Sequence, residues 1–351
     1  MGTAVWFETL QQGDWGEEWQ VEFFNVNIHK SMKTLGKTRW QSIPENLKLY
    51  RKLKKQLKKT SYDLVLIPVS QETIGFIKDS FFVRIAAKRV SKVLLMLHGS
   101  NFQNWQDNSA AWVRKYTTAT LKKTDGMIVL GQNLKSLFTN HYSSNHIHVV
   151  PNGADFEFPE KEQKNNGKIT ILYLSNLLPV KGITDLIDAL VMLTSEEDYF
   201  KVNVVGQWVD EATKTYCLNL VIKHQLPVDF KGPLYGEEKL KQFANADVFV
   251  FPPRAPEGHP LVLVEAMAAG LPIISTDQGA ITESVIDGEN GFIVASGKPK
   301  EIAEKLEWLM NNPEERKRMG IKSREIYLEK FTRRNMVKNF ERVFKTVLLK
   351  T

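Results

Sequence analysis

A chain of 351 residues, 42% hydrophobic and 25% charged, is longer than one hydrophobic core usually serves, so two globular domains are expected. Its one cysteine, Cys217, excludes an intramolecular disulfide and a cysteine-rich zinc site, and no apolar run approaches the roughly 20 residues that cross a bilayer. The net charge of +7 is uneven: residues 1–150 carry 21 Lys/Arg against 11 Asp/Glu, whereas the remainder carry 26 against 29, which points to different partners for the two halves.

In chain order, the opening "MGTAVWFETLQQGDWGEEW" has neither the basic start nor the apolar core of a signal peptide, so a cytoplasmic location is expected. "VEFFNVN" then reads as a strand. In "LKLYRKLKKQLKKTSYD", Leu47, Tyr50, Leu53 and Leu57 recur at helical spacing among Lys48, Arg51, Lys52, Lys54, Lys55, Lys58 and Lys59. This predicts a helix over 47–60 with one buried stripe and a solvated basic face. Such a face also suits an anionic membrane or acidic glycan, giving peripheral contact at the inner face of the membrane. No nucleic-acid module surrounds the run, so no nucleic-acid partner is expected.

Short apolar runs follow, separated by helix-length segments: "DLVLIPV", "VLLMLHG", "GMIVLG" and "IHVVPNG". After the polar, Pro-, Gly- and Asn-rich stretch 151–169 come "ITILYLS", "KVNVVG", "VDFKG", "DVFVFPP", "LPIIST" and "GFIVA". Strands apolar on both faces and spaced by helices predict parallel sheets covered by helices, an α/β class with two Rossmann-like domains. The expected boundaries are 1–155, 156–334 and a helical tail, 335–351, that packs back toward the first domain. Ligand sites are expected at the C-terminal ends of the strands, facing an interdomain cleft.

"DVFVFPPRAPEGHPLVLVEAMAAGLPIIST" reads strand, loop, helix, Gly stop, strand. Pro260 suits the first helical turn and Gly270 the end. The backbone N–H groups near Leu261 and Val262 would then offer a phosphate site without a Walker or Gly-x-Gly-x-x-Gly motif, and neither motif occurs. Glu265 lies one turn past Leu261 on the same face, where a ribose diol is a better partner than a diphosphate. Glu257 precedes the helix, on the side where a sugar would sit. Each acid taken alone also reads as an ordinary surface carboxylate.

The two acids eight residues apart, followed by "AMAAGLPIISTDQGAITESVIDGENGFIV", resemble the donor-binding region of the family 4 retaining glycosyltransferases. That resemblance implies the GT-B fold and sugar transfer from a nucleoside diphosphate donor, UDP before GDP, to a glycan or lipid-linked acceptor in cell-envelope polysaccharide synthesis. It implies no metal or other cofactor. On this basis Glu257 contacts the donor sugar and Glu265 the ribose, while Gly258, Pro260, Leu261 and Val262 form the phosphate-cradling turn. "LSNLLPVKG" matches the loop that holds Lys181 against the diphosphate, with Asn176 where Arg is common. His98, ending "MLH", matches a histidine that faces the donor sugar, and Arg84 is a further candidate contact. Gly206, Gly232 and Tyr235 fall near the expected base. Gly279–Ala280 replaces a paired glycine, and no Asp-x-Asp triplet occurs. Met1 falls where the family's Gly-Gly loop ends, so the first sheet is expected to lack its usual first strand. Alternative readings are a nucleotide-binding GT-B protein without turnover and a GT-B epimerase or phosphorylase.

Overall fold

The computed structural model describes residues 2–26, 42–162, 167–193 and 199–349. They form two compact units: one of residues 10–150 with 337–351, and a larger one of residues 1–9 with 151–336. The first crossing thus lies between Val150 and Pro151 and the last between Met336 and Val337, and residues 1–9 and 151–155 group with the larger unit.

The smaller unit holds a parallel sheet, β1 (Leu64–Val69), β2 (Lys92–Leu97), β3 (Gly126–Val129) and β4 (Ile147–Val149), in that spatial order. Helix α1 (Gly2–Gln11) begins the chain, and α2 (Ser42–Lys59) precedes β1. Helices α3 (Thr73–Ala86), α4 (Phe102–Asp107) and α5 (Ala111–Leu121) lie between the strands. β2 and β3 are buried almost throughout, because helices cover both faces of a parallel sheet.

Two sequence expectations fail here. Residues 21–26 of "VEFFNVN" form no strand, and Asn27 lies outside the described residues. Two of its side chains meet α2: Glu22 Oε2 accepts from Gln56 Nε2 at 2.8 Å, and the Lys52 amine lies 5.4 Å from the centre of the Phe24 ring. Leu47, expected in the buried stripe of α2, is 47% exposed, whereas Leu53 and Leu57 are buried. Tyr50 rests on α3, its ring 5.3 and 4.8 Å from Phe81 and Phe82 and its hydroxyl bonded to the Lys78 carbonyl at 3.0 Å.

The larger unit contains β5 (Ile169–Leu174), β6 (Phe200–Val205), β7 (Val228–Gly232), β8 (Val248–Phe251), β9 (Ile273–Thr276) and β10 (Gly291–Val294). All pair in parallel in the order β10-β9-β8-β5-β6-β7. Helices α6 (Ile183–Met192), α7 (Glu211–Lys223), α8 (Gly236–Ala244), α9 (Leu261–Ala268), α10 (Pro299–Asn311) and α11 (Pro313–Ile326) accompany it. The chain runs outward from β5 to β7, then returns to place β8 on the other side of β5. The β5/β8 junction is therefore a topological switch point, where loops diverge and open sheets of this kind bind ligands.

Helix α12 (Arg333–Leu348) closes the described chain. Its apolar side is covered within the smaller unit: Phe344 stacks on Trp15 at 6.1 Å and meets Trp19 edge-on at 5.7 Å, while Lys345 pairs with Glu18.

At the switch point, the carboxylate of Asp185 on α6 is fully buried and takes a two-pronged bond from Arg254, which follows β8; Nε to Oδ2 is 2.7 Å. Removing the cation leaves a buried charge unpaired, which is far costlier than removing both partners. Arg254→Met is expected to lower stability by about 3 kcal/mol in urea unfolding, with part of the loss recovered in Asp185→Leu/Arg254→Met.

Candidate active site

The loop after β5 is built on a buried tyrosine. Tyr173 lies in the sheet core and donates its hydroxyl to the Lys181 carbonyl at 3.0 Å. Pro179–Lys181 form a single tight turn, and Gly182 ends it at φ +83°. A Cβ at Gly182 would lie 2.0 Å from the Pro252 carbonyl oxygen, so only glycine allows this loop to approach the loop after β8. The Arg254 amide donates to the Val180 carbonyl at 2.9 Å and joins the two loops. Asn176 is exposed at the mouth of the first loop.

The loop after β8 leads into α9, with Pro260 as the residue just before the helix at φ −65°, ψ 120°. The helix begins one residue later than the sequence suggests, and Leu261 and Val262, half-buried, form its first turn. Glu257 is ion-paired through Oε1 with the Lys181 amine, and Oε2 has no hydrogen-bond partner among the described residues. Gly279, at φ +62°, packs on this acid's backbone: a Cβ there would meet the Glu257 carbonyl oxygen at 1.6 Å. Ala280 donates its amide to the Gly258 carbonyl at 3.1 Å and has φ −89°. Alanine is therefore accommodated at the second position of the pair but not at the first.

Glu265 is 3% exposed within α9. Its Oε1 is ion-paired with Lys239 of α8, a residue that the sequence reading did not single out. Burial raises the Glu265 pKa above the usual carboxylate value, and the Lys239 ammonium pulls it back. The only sequence cue to Lys239 is its position four residues after Tyr235, on a helix whose other charged residues look like a solvated face.

His259, between the two acids, faces inward. It is 3% exposed, its Nε2 is 2.7 Å from Ser284 Oγ, and its ring lies 4.9 Å from Phe331. Its carbonyl accepts from Asn152 Nδ2 at 2.7 Å. These contacts hold the loop from behind. Burial lowers the His259 pKa to about 4, so the imidazole is neutral in the fold.

Gly206 has φ +153°, and a Cβ would meet the Ser175 carbonyl oxygen at 1.7 Å, so its requirement is backbone approach between the β5 and β6 loops. Gly232, at φ +70°, has open space around a would-be Cβ. Tyr235 precedes α8 and is 48% exposed. The larger unit thus brings together Lys181, Glu257, Gly258 and the start of α9, with Glu265 one turn deeper along that helix and Lys239 of α8 against it.

His98 belongs to the smaller unit, immediately after β2, and burial lowers its pKa to about 4. Arg84 of α3 lies 4.8 Å from the centre of the Tyr116 ring. Among the described residues, no three His, Cys, Asp or Glu side chains are grouped to hold a metal ion, and no helix is long and apolar enough to cross a membrane.

Residues 16–158 match glycosyltransferase family 4, and residues 154–326 match the glycosyl transferases group 1 family. The chain belongs to the family 4 glycosyltransferases. It is 28% identical over 253 residues to an uncharacterized glycosyltransferase of Methanocaldococcus jannaschii, covering 72% of this chain and 67% of that one. It is 29% identical over 247 residues to the capsular polysaccharide biosynthesis glycosyltransferase CapM of Staphylococcus aureus, covering 63% of this chain and 62% of CapM. Among solved structures, Anabaena HepE in complex with UDP superimposes with a TM-score of 0.70 at 17% identity, covering 85% of this glycosyltransferase and 82% of HepE. The fold is GT-B.

The buried imidazole of His259 makes stability depend on pH. The folded pKa of about 4 lies below the ordinary 6.5, so between these values the unfolded chain takes up a proton that the fold refuses. Stability is expected to fall as pH drops from 6.5 toward 4. His259→Gln should flatten that slope in chemical unfolding followed across the window, leaving the part due to His98 and His141, whose pKa values burial also lowers.

Proposed function

We propose that this chain transfers a sugar from a nucleoside diphosphate sugar, with UDP as the favoured nucleotide, to a glycan or lipid-linked acceptor of a cell-envelope polysaccharide. The observation that carries this reading is the convergence of Lys181, Glu257 and the first turn of α9 at the switch point of the larger sheet. A cation and the positive end of a helix there suit a diphosphate, on which negative charge grows as the sugar–phosphate bond breaks. Glu257 accepts hydroxyls of the donor sugar, and Glu265 accepts the ribose diol. The acceptor oxygen bonds to the anomeric carbon on the face from which the diphosphate leaves. A departing phosphate oxygen takes the acceptor proton, so the anomeric configuration is retained and no metal is called on.

The HepE structures with UDP and with UDP-glucose support a uridine donor, and the CapM relationship supports a polysaccharide product. A nucleotide-binding protein without turnover is the second reading, favoured by exposed Asn176 where a second cation is common in the family. Calorimetric titration with UDP and GDP, without added metal, followed by donor-sugar turnover, separates the two. Glu265→Ala is expected to weaken UDP binding about 10–100-fold, whereas Glu257→Ala spares UDP affinity and lowers transfer. Equal UDP affinity in wild type and Glu265→Ala would overturn the ribose assignment.

For the acceptor side we propose peripheral contact of α2 with an anionic membrane. Lys48, Arg51, Lys52, Lys54, Lys55, Lys58 and Lys59 are all exposed, and none is ion-paired among the described residues. Exposed Leu47 and Phe81 flank them. Each such cation contributes on the order of 1 kcal/mol near an anionic leaflet. Sedimentation with phosphatidylglycerol-containing vesicles is expected to carry the protein down at low salt. Phosphatidylcholine vesicles should not, nor should the anionic ones capture Lys54→Ala/Lys55→Ala/Lys58→Ala/Lys59→Ala. Equal binding to both vesicle types would refute an electrostatic contact.

A further inference from the structure

The two acids of the larger unit share one arrangement. In each, Oε1 is taken by a lysine, Lys181 for Glu257 and Lys239 for Glu265, and Oε2 has no hydrogen-bond partner among the described residues. The surroundings differ. Glu257 stands on a half-buried loop, whereas Glu265 is 3% exposed inside α9 between apolar neighbours Val264 and Ala266, both fully buried. A carboxylate so placed is held by its cation or not at all, because water does not reach it freely. Lys239 stands in the first turn of α8, which Tyr235 begins after β7. It is therefore fixed by a different element from the acid that it holds.

We propose that Lys239 is a positioning residue of the donor site: its ammonium holds Oε1 of Glu265 so that Oε2 is presented in one orientation to the ribose hydroxyls of the nucleotide. This rests on the assignment of the ribose to Glu265 made above. Lys239 contacts the carboxylate and acts on the nucleotide through it. A neutral side chain at 239 leaves the buried acid to take up a proton or turn away. In either state the site has lost an acceptor fixed toward the diol. The ordering of α8 also links the end of β7, near the expected base, to the ribose contact.

The test compares two nucleotides that differ only in the diol. Affinities of UDP and 2′,3′-dideoxy-UDP, and of GDP and 2′,3′-dideoxy-GDP, are measured by calorimetry for wild type, Lys239→Met, Lys239→Arg and Glu265→Gln. For the base that binds, wild type is expected to favour the ribose form by on the order of 10–100-fold. Lys239→Met should reduce that preference to less than about threefold while changing the dideoxy affinity little, and Lys239→Arg, which keeps a cation, should retain most of it. Thermal melting identifies unfolded variants; if Lys239→Met does not fold, Lys239→Gln takes its place and should also reduce the preference. A wild-type preference in the neutral variant, or equal losses for the ribose and dideoxy forms, would overturn the proposal. If Glu265→Gln keeps the full preference, or wild type shows none, the ribose assignment itself is refuted and Lys239 falls with it. Loss in Glu265→Gln but not in Lys239→Met refutes the positioning role alone.

Discussion

Because the chain leaves β5 outward toward β7 and returns to set β8 on the opposite side, the loops following β5 and β8 part at their C-terminal ends. Lys181, Glu257 and the start of α9 stand on that divergence. Two parallel strands that are neighbours in the sheet but distant in the chain present two loops side by side, one ending in α6 and the other in α9. The loop after β8 is approached so closely, by Gly182 of the loop after β5 and by Gly279 of the loop after β9, that a single methyl group would collide with a carbonyl oxygen. Such contacts leave the loops little freedom, so a cation on one and a carboxylate on the other meet without an entropic search.

Around this junction the larger unit concentrates charges that a fold ordinarily keeps in water. Asp185 is paired with Arg254, Glu257 with Lys181 and Glu265 with Lys239. The three pairs differ in burial, and hence in role. Asp185 is wholly inside and serves the loop architecture. Glu257 and its lysine both retain solvent contact at the loop surface. Glu265 is almost wholly buried, so burial raises its pKa while the Lys239 ammonium pulls it back. His259 adds a neutral tie beneath the same loop, joining it to Ser284, Phe331 and Asn152.

The smaller unit follows a different electrostatic plan. Its surplus of positive charge is collected on one helix whose cations are unneutralised, while its sheet is as apolar as that of the larger unit. Burying Leu53 and Leu57 under an otherwise cationic helix anchors α2 by one narrow stripe, and the basic residues remain in solvent because no acid on the neighbouring described elements answers them. A fold that merely needed a cover for α3 would not require seven such cations. Their concentration is what the membrane proposal addresses.

The sequence by itself determined the class of the fold and the strands of the two described sheets. Runs such as "ITILYLS" and "VLLMLHG" are apolar on both faces, and only a sheet covered on both sides accommodates that. The helix expected from Pro260 to Ala269 was legible because local rules fix where a helix starts and stops, whereas Lys181 and the two acids stood out only through the family resemblance. Segment 21–26 misled, since its Phe23 and Phe24 mimic a strand while Glu22 and Phe24 meet Gln56 and Lys52 of α2. Leu47 misled because helical periodicity does not say how far along a helix its cover extends. Only the tertiary structure decided the partners. Lys239 and Glu265 are 26 residues apart, Arg254 and Asp185 are 69 apart, and Gly279 reaches Glu257 from another loop. Local sequence encodes the direction of a strand or helix, but which charge a buried carboxylate meets depends on the order in which strands pair, and that order is a property of the whole sheet.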